Sequence, residues 1–145
     1  MGAKSRVGKT DRVPKTRAGN TWTEASFIGF IRSGLRKLSR RWPPRAEAMK
    51  VGRRKNQSSN RRLKFEHQCV VCLGWFPEKG MQLDHIVPCG EFTSLDQIQA
   101  YVERLFVEID GFRKLCRKCN RELGKETQRS IREARKLRAG VVRKD

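Results

Sequence analysis

The chain has 145 residues, of which 34 are Lys or Arg and 15 are Asp or Glu, so its formal net charge is +19. This length suits one domain better than two, and no apolar run approaches the roughly 18 residues that a transmembrane helix needs. Lys, Arg and Gly near the N-terminus are not followed by an apolar segment, so we expect no secretion signal, no membrane contact and a cytoplasmic location.

The positive charge is concentrated towards the two ends of the chain. Residues 1–66 carry 19 basic and 4 acidic side chains, a net charge of +15. Residues 67–115 carry 4 basic and 7 acidic side chains, and residues 116–145 carry 11 and 4. A charge of this size exceeds what solubility requires, so we expect the basic flanks to bind a polyanion.

A basic extension is predicted in front of the core. Residues 1–20 lack apolar periodicity and are predicted to be a disordered basic arm, and residues 21–62 to be a helical extension with a linker. Thr21-Trp22-Thr23-Glu24 has the spacing of a capping box. Pro43-Pro44 ends the first helix, and a second short helix is predicted from Pro44 to about Val51. The first helix carries an apolar stripe that is expected to be core or a dimer interface, formed by Phe27, Ile28, Ile31, Leu35 and Leu38. Its candidate phosphate contacts are Arg32, Arg36, Lys37, Arg40 and Arg41.

The folded core is predicted over residues 63–125. Residues 73–76 and 81–87 read as the two strands of a β-hairpin, and Ser94-Leu95-Asp96-Gln97 as a second capping box that opens a helix reaching Ile109. Residues 126–145 are rich in Lys, Arg and Glu and are predicted to be a basic C-terminal helix or tail. The predicted fold class is therefore α+β, with a small core and added helices.

Two Cys-x-x-Cys pairs indicate a metal site. A two-residue spacer lets both sulfurs of a pair face one ion, and four thiolates leave zinc no open coordination position, which is typical of a structural site. An iron–sulfur cluster is the alternative. The expected ligands are Cys69, Cys72, Cys116 and Cys119.

Two further residues have ligating side chains. Cys89 is expected to be a small apolar filler or a reduced bystander, with metal ligation or thiol reactivity as the alternative. His67 lies two residues before Cys69, and a solvent-facing or backbone-bonded ring is favoured over a ligand.

Three residues between and beside the Cys pairs suggest a second metal site. A zinc site would dock the helix that begins near Cys119 against the strand carrying Asp84 and His85, and would thereby bring Asn120 towards them. Carboxylate and amide oxygens are ligands suited to Mg²⁺ or Mn²⁺, and a neutral imidazole can accept a proton from water. Neighbouring strand residues point to opposite faces, so Asp84 and His85 converge only if the strand bends or ends there.

These motifs resemble the HNH (ββα-metal) endonuclease superfamily. The resemblance covers about residues 67–125 and rests on Cys-x-x-Cys, Asp84-His85 and Leu-Cys-x-x-Cys-Asn. Residues 113–124 are similar to the ending of the endonuclease VII type of phage junction-resolving enzyme. Residues 84–88 and 105–111 look like segments of small HNH nucleases encoded by phages. A phage-encoded chain would be located in the cytoplasm of an infected host cell.

The resemblance implies a metal-dependent DNA endonuclease with a hairpin and a helix around one divalent ion. By matching position, His85 is the general base, Asp84 and Asn120 hold a catalytic Mg²⁺ or Mn²⁺, and the four Cys hold a structural Zn²⁺. The family's middle residue, commonly an Asn that braces the loop, falls on Gly111, with Asp110 a possible substitute. The products would carry 5′-phosphate and 3′-hydroxyl ends, and the basic flanks would hold the DNA mainly through its phosphate backbone.

Two other functions fit the same residues. One is a non-catalytic zinc-ribbon module that binds nucleic acid. The other is an accessory subunit of a phage DNA-processing complex whose nuclease acts only with its partner. A homodimer would suit junction cleavage, and the sequence does not fix the substrate structure or the oligomeric state.

Overall fold

A computed structural model describes residues 12–141 of the chain, with side chains to residue 136. The predicted combination of helices and small sheets is confirmed: this range contains four α-helices and seven short strands in three separate sheets. Residues 1–11 of the predicted arm and 142–145 of the predicted tail lie outside it. None of the helices in this range combines the length and the apolar character needed to cross a membrane.

A small hairpin precedes the first helix. Strand β1 (Lys15–Arg17) pairs antiparallel with β2 (Trp22–Thr23), although a disordered arm was predicted up to residue 20. The connecting turn has a left-handed backbone at Ala18, Gly19 and Asn20. This turn folds the chain back on itself, so residues 15–20 belong to a hairpin. The disordered arm was therefore predicted to continue too far along the chain.

Helix α1 (Glu24–Ser39) packs on α3 (Ile98–Leu105). Its N-cap is Thr23, whose hydroxyl accepts a hydrogen bond from the backbone N–H of Ser26, so the predicted cap at Thr21 is wrong by two residues. The predicted apolar stripe is core, except for Leu38, which is exposed. The buried side chains between the two helices and the adjoining loop are Ile28, Phe92, Tyr101 and Leu105.

Two α1 arginines that were candidates for phosphate contact bind the protein instead. Arg32 donates to the carbonyl of Phe92 at 3.4 Å. Arg36 donates to the Tyr101 hydroxyl at 3.0 Å and to the Gly90 carbonyl at 3.3 Å. Both therefore attach the loop before α3 to α1.

Helix α2 (Pro43–Lys50) lies where the second short helix was predicted. The residues after it were predicted to be a linker, but β3 (Arg54–Lys55) pairs with β4 (Phe65–Gln68), which pairs in turn with β5 (Trp75–Pro77). The loop between β3 and β4 is closed by side-chain hydrogen bonds of Asn56, Ser58 and Asn60.

The predicted hairpin has the wrong partner. Strand β6 (Met81–His85) pairs antiparallel with β7 (Phe112–Cys116), and not with the strand before it. Helix α4 (Arg117–Val141) begins directly after β7 and continues through Gly124, where an interruption was predicted. Residues 86–111 form the long connection between the two strands and contain α3.

The predicted capping box at Ser94 is also wrong. Its side chain makes no cap hydrogen bond, and a 3-10 turn over Leu95–Gln97 precedes α3. The Thr93 backbone N–H instead donates to the Gln97 side chain at 3.0 Å. The helix ends at Leu105, before the predicted end at Ile109, which lies in a second 3-10 turn.

The backbone at Gly111 braces the end of this connection. Its N–H donates to the Glu108 carbonyl at 3.0 Å, and its carbonyl accepts from the Ile86 N–H at 2.9 Å. A Cβ at position 111 would lie 2.6 Å from the Cβ of Val107. The resemblance implies a bracing side chain at position 111, where this chain has glycine. Main-chain hydrogen bonds hold the loop at this position and leave no room for a methyl group.

We expect Gly111→Ala to lower the free energy of unfolding by about 1–3 kcal/mol, since the added methyl must displace Val107. The matched control is Gly34→Ala in α1, where nothing lies within 4 Å of the added Cβ. The control is expected to be neutral or stabilising by up to about 1 kcal/mol. Urea unfolding measures both, and equal midpoints for the two variants would contradict the close approach.

Candidate metal centre and cleft

The four predicted cysteine ligands meet at one point. Their sulfur atoms all lie within 4.8 Å of one another, close to the spacing of about 3.8 Å that tetrahedral zinc–sulfur bonds of about 2.3 Å require. They come from the turn after β4, the last residue of β7 and the first turn of α4. This cluster can hold one metal ion such as zinc, and it would join β4, β7 and α4. Its members are Cys69, Cys72, Cys116 and Cys119.

Local backbone geometry positions the sulfurs. Leu73 adopts a left-handed conformation with φ of 60°, and its N–H donates to the Cys69 carbonyl at 3.0 Å. This tight turn brings Cys72 back towards Cys69. In the second pair, the Cys119 N–H donates to the Cys116 sulfur at 3.4 Å. An N–H donor to sulfur favours the thiolate form that a metal binds.

The charge requirements of the cluster favour a cation. Burial opposes ionisation of Cys69, but backbone N–H donors from Cys116 and Cys72 outweigh it and lower the pKa of Cys69 to about 6. The hydrogen bond from the Cys119 thiol to Cys116, together with burial, raises the pKa of Cys119 to about 12. Four adjacent sulfurs therefore do not all ionise by themselves, and a bound cation would offset their mutual repulsion.

The two other candidate ligands lie outside the cluster. Cys89 donates to the Arg104 carbonyl at 3.4 Å, and burial raises the pKa of its thiol. His67 is buried with 1% exposure, so of the two favoured alternatives, a solvent-facing or a backbone-bonded ring, the solvent-facing one is wrong. Burial and the nearby Lys114 lower the pKa of His67. Among the described residues, neither side chain joins the four-sulfur group.

A cleft of about 520 Å³ lies beside β6. Asp84 from β6 and Asn120 from α4 both line it, so the structure brings these two predicted ligands to one surface. His85 is not among the residues that line it. The other polar side chains of the cleft are Arg40, Arg45, Glu78 and Gln82.

Gln82 orients Asn120. The Asn120 side-chain N–H donates to the Gln82 side-chain oxygen, and Gln82 and Asp84 share one face of β6 because they are two residues apart. When the amide nitrogen of Asn120 is used in this way, its oxygen is the atom that remains for a cation. Sequence reasoning missed Gln82, although its two-residue spacing from Asp84 was a usable signal.

Arg113 neutralises Asp84. The two residues are directly opposite in the β6–β7 register, and the guanidinium donates twice to Asp84 Oδ2, at 2.8 Å and 3.1 Å. Both bonds end on the same oxygen, so Oδ1 lies outside the pair. The side chains are 39% and 33% exposed, so the pair is partly screened by water.

His85 lies on the opposite face of β6 from Asp84. Its ring contacts Phe112, with centroids 4.9 Å apart, and its Nε2 lies 2.9 Å from the Leu105 carbonyl. A carbonyl only accepts, so Nε2 carries the proton and, in the neutral ring, Nδ1 keeps a lone pair. His85 is the last residue of β6, but its ring packs on Phe112 and does not line the cleft that contains Asp84.

Helix α2 forms the basic wall of the cleft. The Arg45 guanidinium donates to the Leu83 carbonyl of β6 at 3.3 Å and lies 5.8 Å above the Phe112 ring. The indole N–H of Trp42 donates to the Val107 carbonyl at 2.7 Å and attaches the start of α2 to the connection that holds His85. Sequence reasoning did not assign these residues, because their contacts are more than thirty residues away along the chain.

We expect purified protein to contain about one zinc per chain. Cys116→Ser is expected to lose it and to lower the melting temperature by at least about 10 °C, because metal binding supplies folding free energy. Cys89→Ala is the matched control and should keep both its zinc and its β6–β7–α4 fold. Metal analysis and thermal unfolding check this, and full zinc content in Cys116→Ser would contradict the ligand assignment.

Comparisons of the chain with protein-family models, with curated proteins and with solved structures found no match. A functional conclusion therefore depends on the thiol cluster, the cleft and the charge of the surrounding surface.

Proposed function

We propose that the protein is a metal-dependent DNA endonuclease of the HNH type. The observation that carries the proposal is that Asp84 and Asn120 line one cleft beside β6. Two antiparallel strands followed directly by a helix, in the order β6, β7, α4, agree with the hairpin and helix that the resemblance implies. The four-sulfur cluster supports this arrangement, because it ties α4 to the end of β7.

The proposed cation site consists of Asp84 Oδ1 and the Asn120 side-chain oxygen. Both are hard oxygen ligands, which suits Mg²⁺ or Mn²⁺, and water would complete the coordination. Such an ion would act as a Lewis acid that stabilises negative charge on the phosphorane and on the leaving 3′ oxygen. The Arg113 guanidinium holds the Asp84 carboxylate in one orientation through its two hydrogen bonds to Oδ2.

His85 is the proposed general base. With Nε2–H held by the Leu105 carbonyl, Nδ1 takes the proton from water as the water attacks phosphorus. Because Asp84 and His85 lie on opposite faces of β6, the scissile phosphate must lie across the end of the strand to meet both. Arg40 and Arg45, which line the cleft, provide positive charge for a neighbouring phosphate.

A zinc module that binds nucleic acid without cutting it is the second candidate. The position of His85 outside the cleft lining favours it, since a base that cannot approach the scissile phosphate would leave only a binding surface. Supercoiled plasmid separates the two functions, because a binding module leaves it intact in the presence of Mg²⁺ or Mn²⁺.

We expect wild-type protein to nick or cut supercoiled plasmid when Mg²⁺ or Mn²⁺ is added, with 5′-phosphate and 3′-hydroxyl products. His85→Ala is expected to lower the cleavage rate by about 10²–10⁴-fold, because a positioned base contributes about that much. Its zinc content and DNA affinity should stay unchanged. Cleavage by His85→Ala at the wild-type rate would show that another group is the base, and an intact plasmid with wild-type protein would favour the binding module.

The role of Asn120 is tested by two substitutions at the same position. Asn120→Ala removes the ligand oxygen, so we expect a rate loss of at least about tenfold that more metal partly restores. Asn120→Asp keeps an oxygen at that place and should retain most of the activity at saturating Mn²⁺. The rate measured against metal concentration distinguishes them, and equal metal dependence in all three proteins would argue against ligation by Asn120.

A further inference from the structure

Helix α4 extends well past its packed first turns. It has 25 residues, a length of about 37 Å, and its side chains from Gly124 to Lys136 are all exposed. Leu123 is the last one that packs against the metal-centre core. A segment of this length whose side chains are all exposed gains little stability from packing against the rest of the fold. Its exposed surface is therefore a candidate binding surface.

Most of the charged side chains on this segment fall into two rows. Positions 121, 125, 128, 132 and 135 follow spacings of four and three residues, which keeps them within an arc of about 80° on a helix that turns about 100° per residue. Four of the five are basic and the fifth is Gln128. The row is about 21 Å long. Its basic members are Arg121, Lys125, Arg132 and Arg135, and we name these four the basic row.

The acidic side chains form a separate row. Glu122, Glu126 and Glu133 centre about 120° around the helix from the basic row, by the same geometry. Glu122 also pairs with Lys125 at 3.1 Å, an exposed contact of low stability that a phosphate can replace. On its other side, the basic row lies about 100° from Asn120, whose side chain reaches β6. Arg129 and Lys136 lie about 80° and 60° around the helix from Arg121, between the two rows. The positive face of the helix is thus bounded by carboxylates beyond these two residues on one side and leads towards the cleft on the other.

We infer that the basic row lies along one phosphate backbone of duplex DNA and guides it to the cleft. A helix inserted deep in the major groove would face phosphates on both sides, and the acidic row would then repel one strand. Single-stranded binding commonly uses aromatic side chains for stacking, and α4 contains none. One-sided contact with a duplex backbone fits both features, and predicts binding that depends on salt and not on base sequence.

This inference rests on the DNA substrate of the proposed function, but it does not require cleavage. The test is therefore binding of the full zinc-containing chain to labelled duplex, without added Mg²⁺ or Mn²⁺, across a salt series. The main variant exchanges charges between neighbouring positions, so that composition and net charge are unchanged and the ion pair between positions 122 and 125 is kept with its signs reversed. It combines R121E/E122R, K125E/E126K and R132E/E133R.

We expect this exchange to weaken duplex binding at least tenfold at 50 mM salt and to reduce the salt slope by about 2.7, for three lost phosphate contacts. Single-stranded DNA of the same sequence should bind more weakly than duplex to the wild-type chain. A second variant, R121Q/R132Q/R135Q, leaves the acidic row intact and should show the same loss. Circular dichroism and zinc content verify that both variants are folded.

Equal duplex affinity for wild-type and charge-exchanged protein would overturn the inference, because only the placement of charge differs. Preference of the wild-type chain for single-stranded DNA would also overturn it, as would a change in oligomeric state without a change in DNA binding. If plasmid stays intact but the exchange abolishes duplex binding, the nuclease proposal fails and the basic row stands. If both proteins cut plasmid equally well and bind duplex with the same affinity, the nuclease proposal stands and the inference about the basic row fails.

Discussion

The fold depends on bringing four sulfur atoms together across a long stretch of sequence. Two come from a tight turn after β4, and two from the junction of β7 and α4. Without a cation, one member of the group has a pKa near 6 and another near 12, so the thiols do not share one ionisation state. A bound metal ion would remove this conflict and would fix α4 against the strand pair. The cleft exists because that junction holds Asn120 over β6.

Around this centre, residues 12–141 form two small cores instead of one. The first lies between α1 and α3 and contains Ile28 and Tyr101. The second surrounds the sulfur cluster and contains Met81 and Leu115. Helix α2 bridges them, because Trp42 and Arg45 bind the connection and β6 respectively. The cleft is therefore supported from both sides, and its basic wall comes from the part of the chain that the sequence marked as an extension.

The features that were predictable from sequence have short-range causes. The Cys-x-x-Cys spacing indicated the sulfur cluster, and helical periodicity with Pro43 indicated α1 and α2. Strand partners were not predictable, since β6 pairs with a strand on the far side of residues 86–111 and a turn between residues 76 and 81 gave a plausible local alternative. The cleft was predictable only in part: Asp84 and Asn120 carried a chemical signal, and Gln82 lies two residues from Asp84, whereas the pairing of Arg113 with Asp84 became recognisable once the register was known. The β3–β4 loop was predicted to be a linker because its sequence has no apolar pattern. Hydrogen bonds among polar side chains hold this loop instead.

The contact between His85 and the Leu105 carbonyl connects the His85 ring to the core between α1 and α3. Leu105 ends α3 and is itself nearly inaccessible to solvent, so the carbonyl that selects the ring tautomer moves only when that core moves. A loosened core would release the N–H and let the two tautomers interconvert. The tautomer of this ring would thereby report on packing around Tyr101, which shares the core with Leu105.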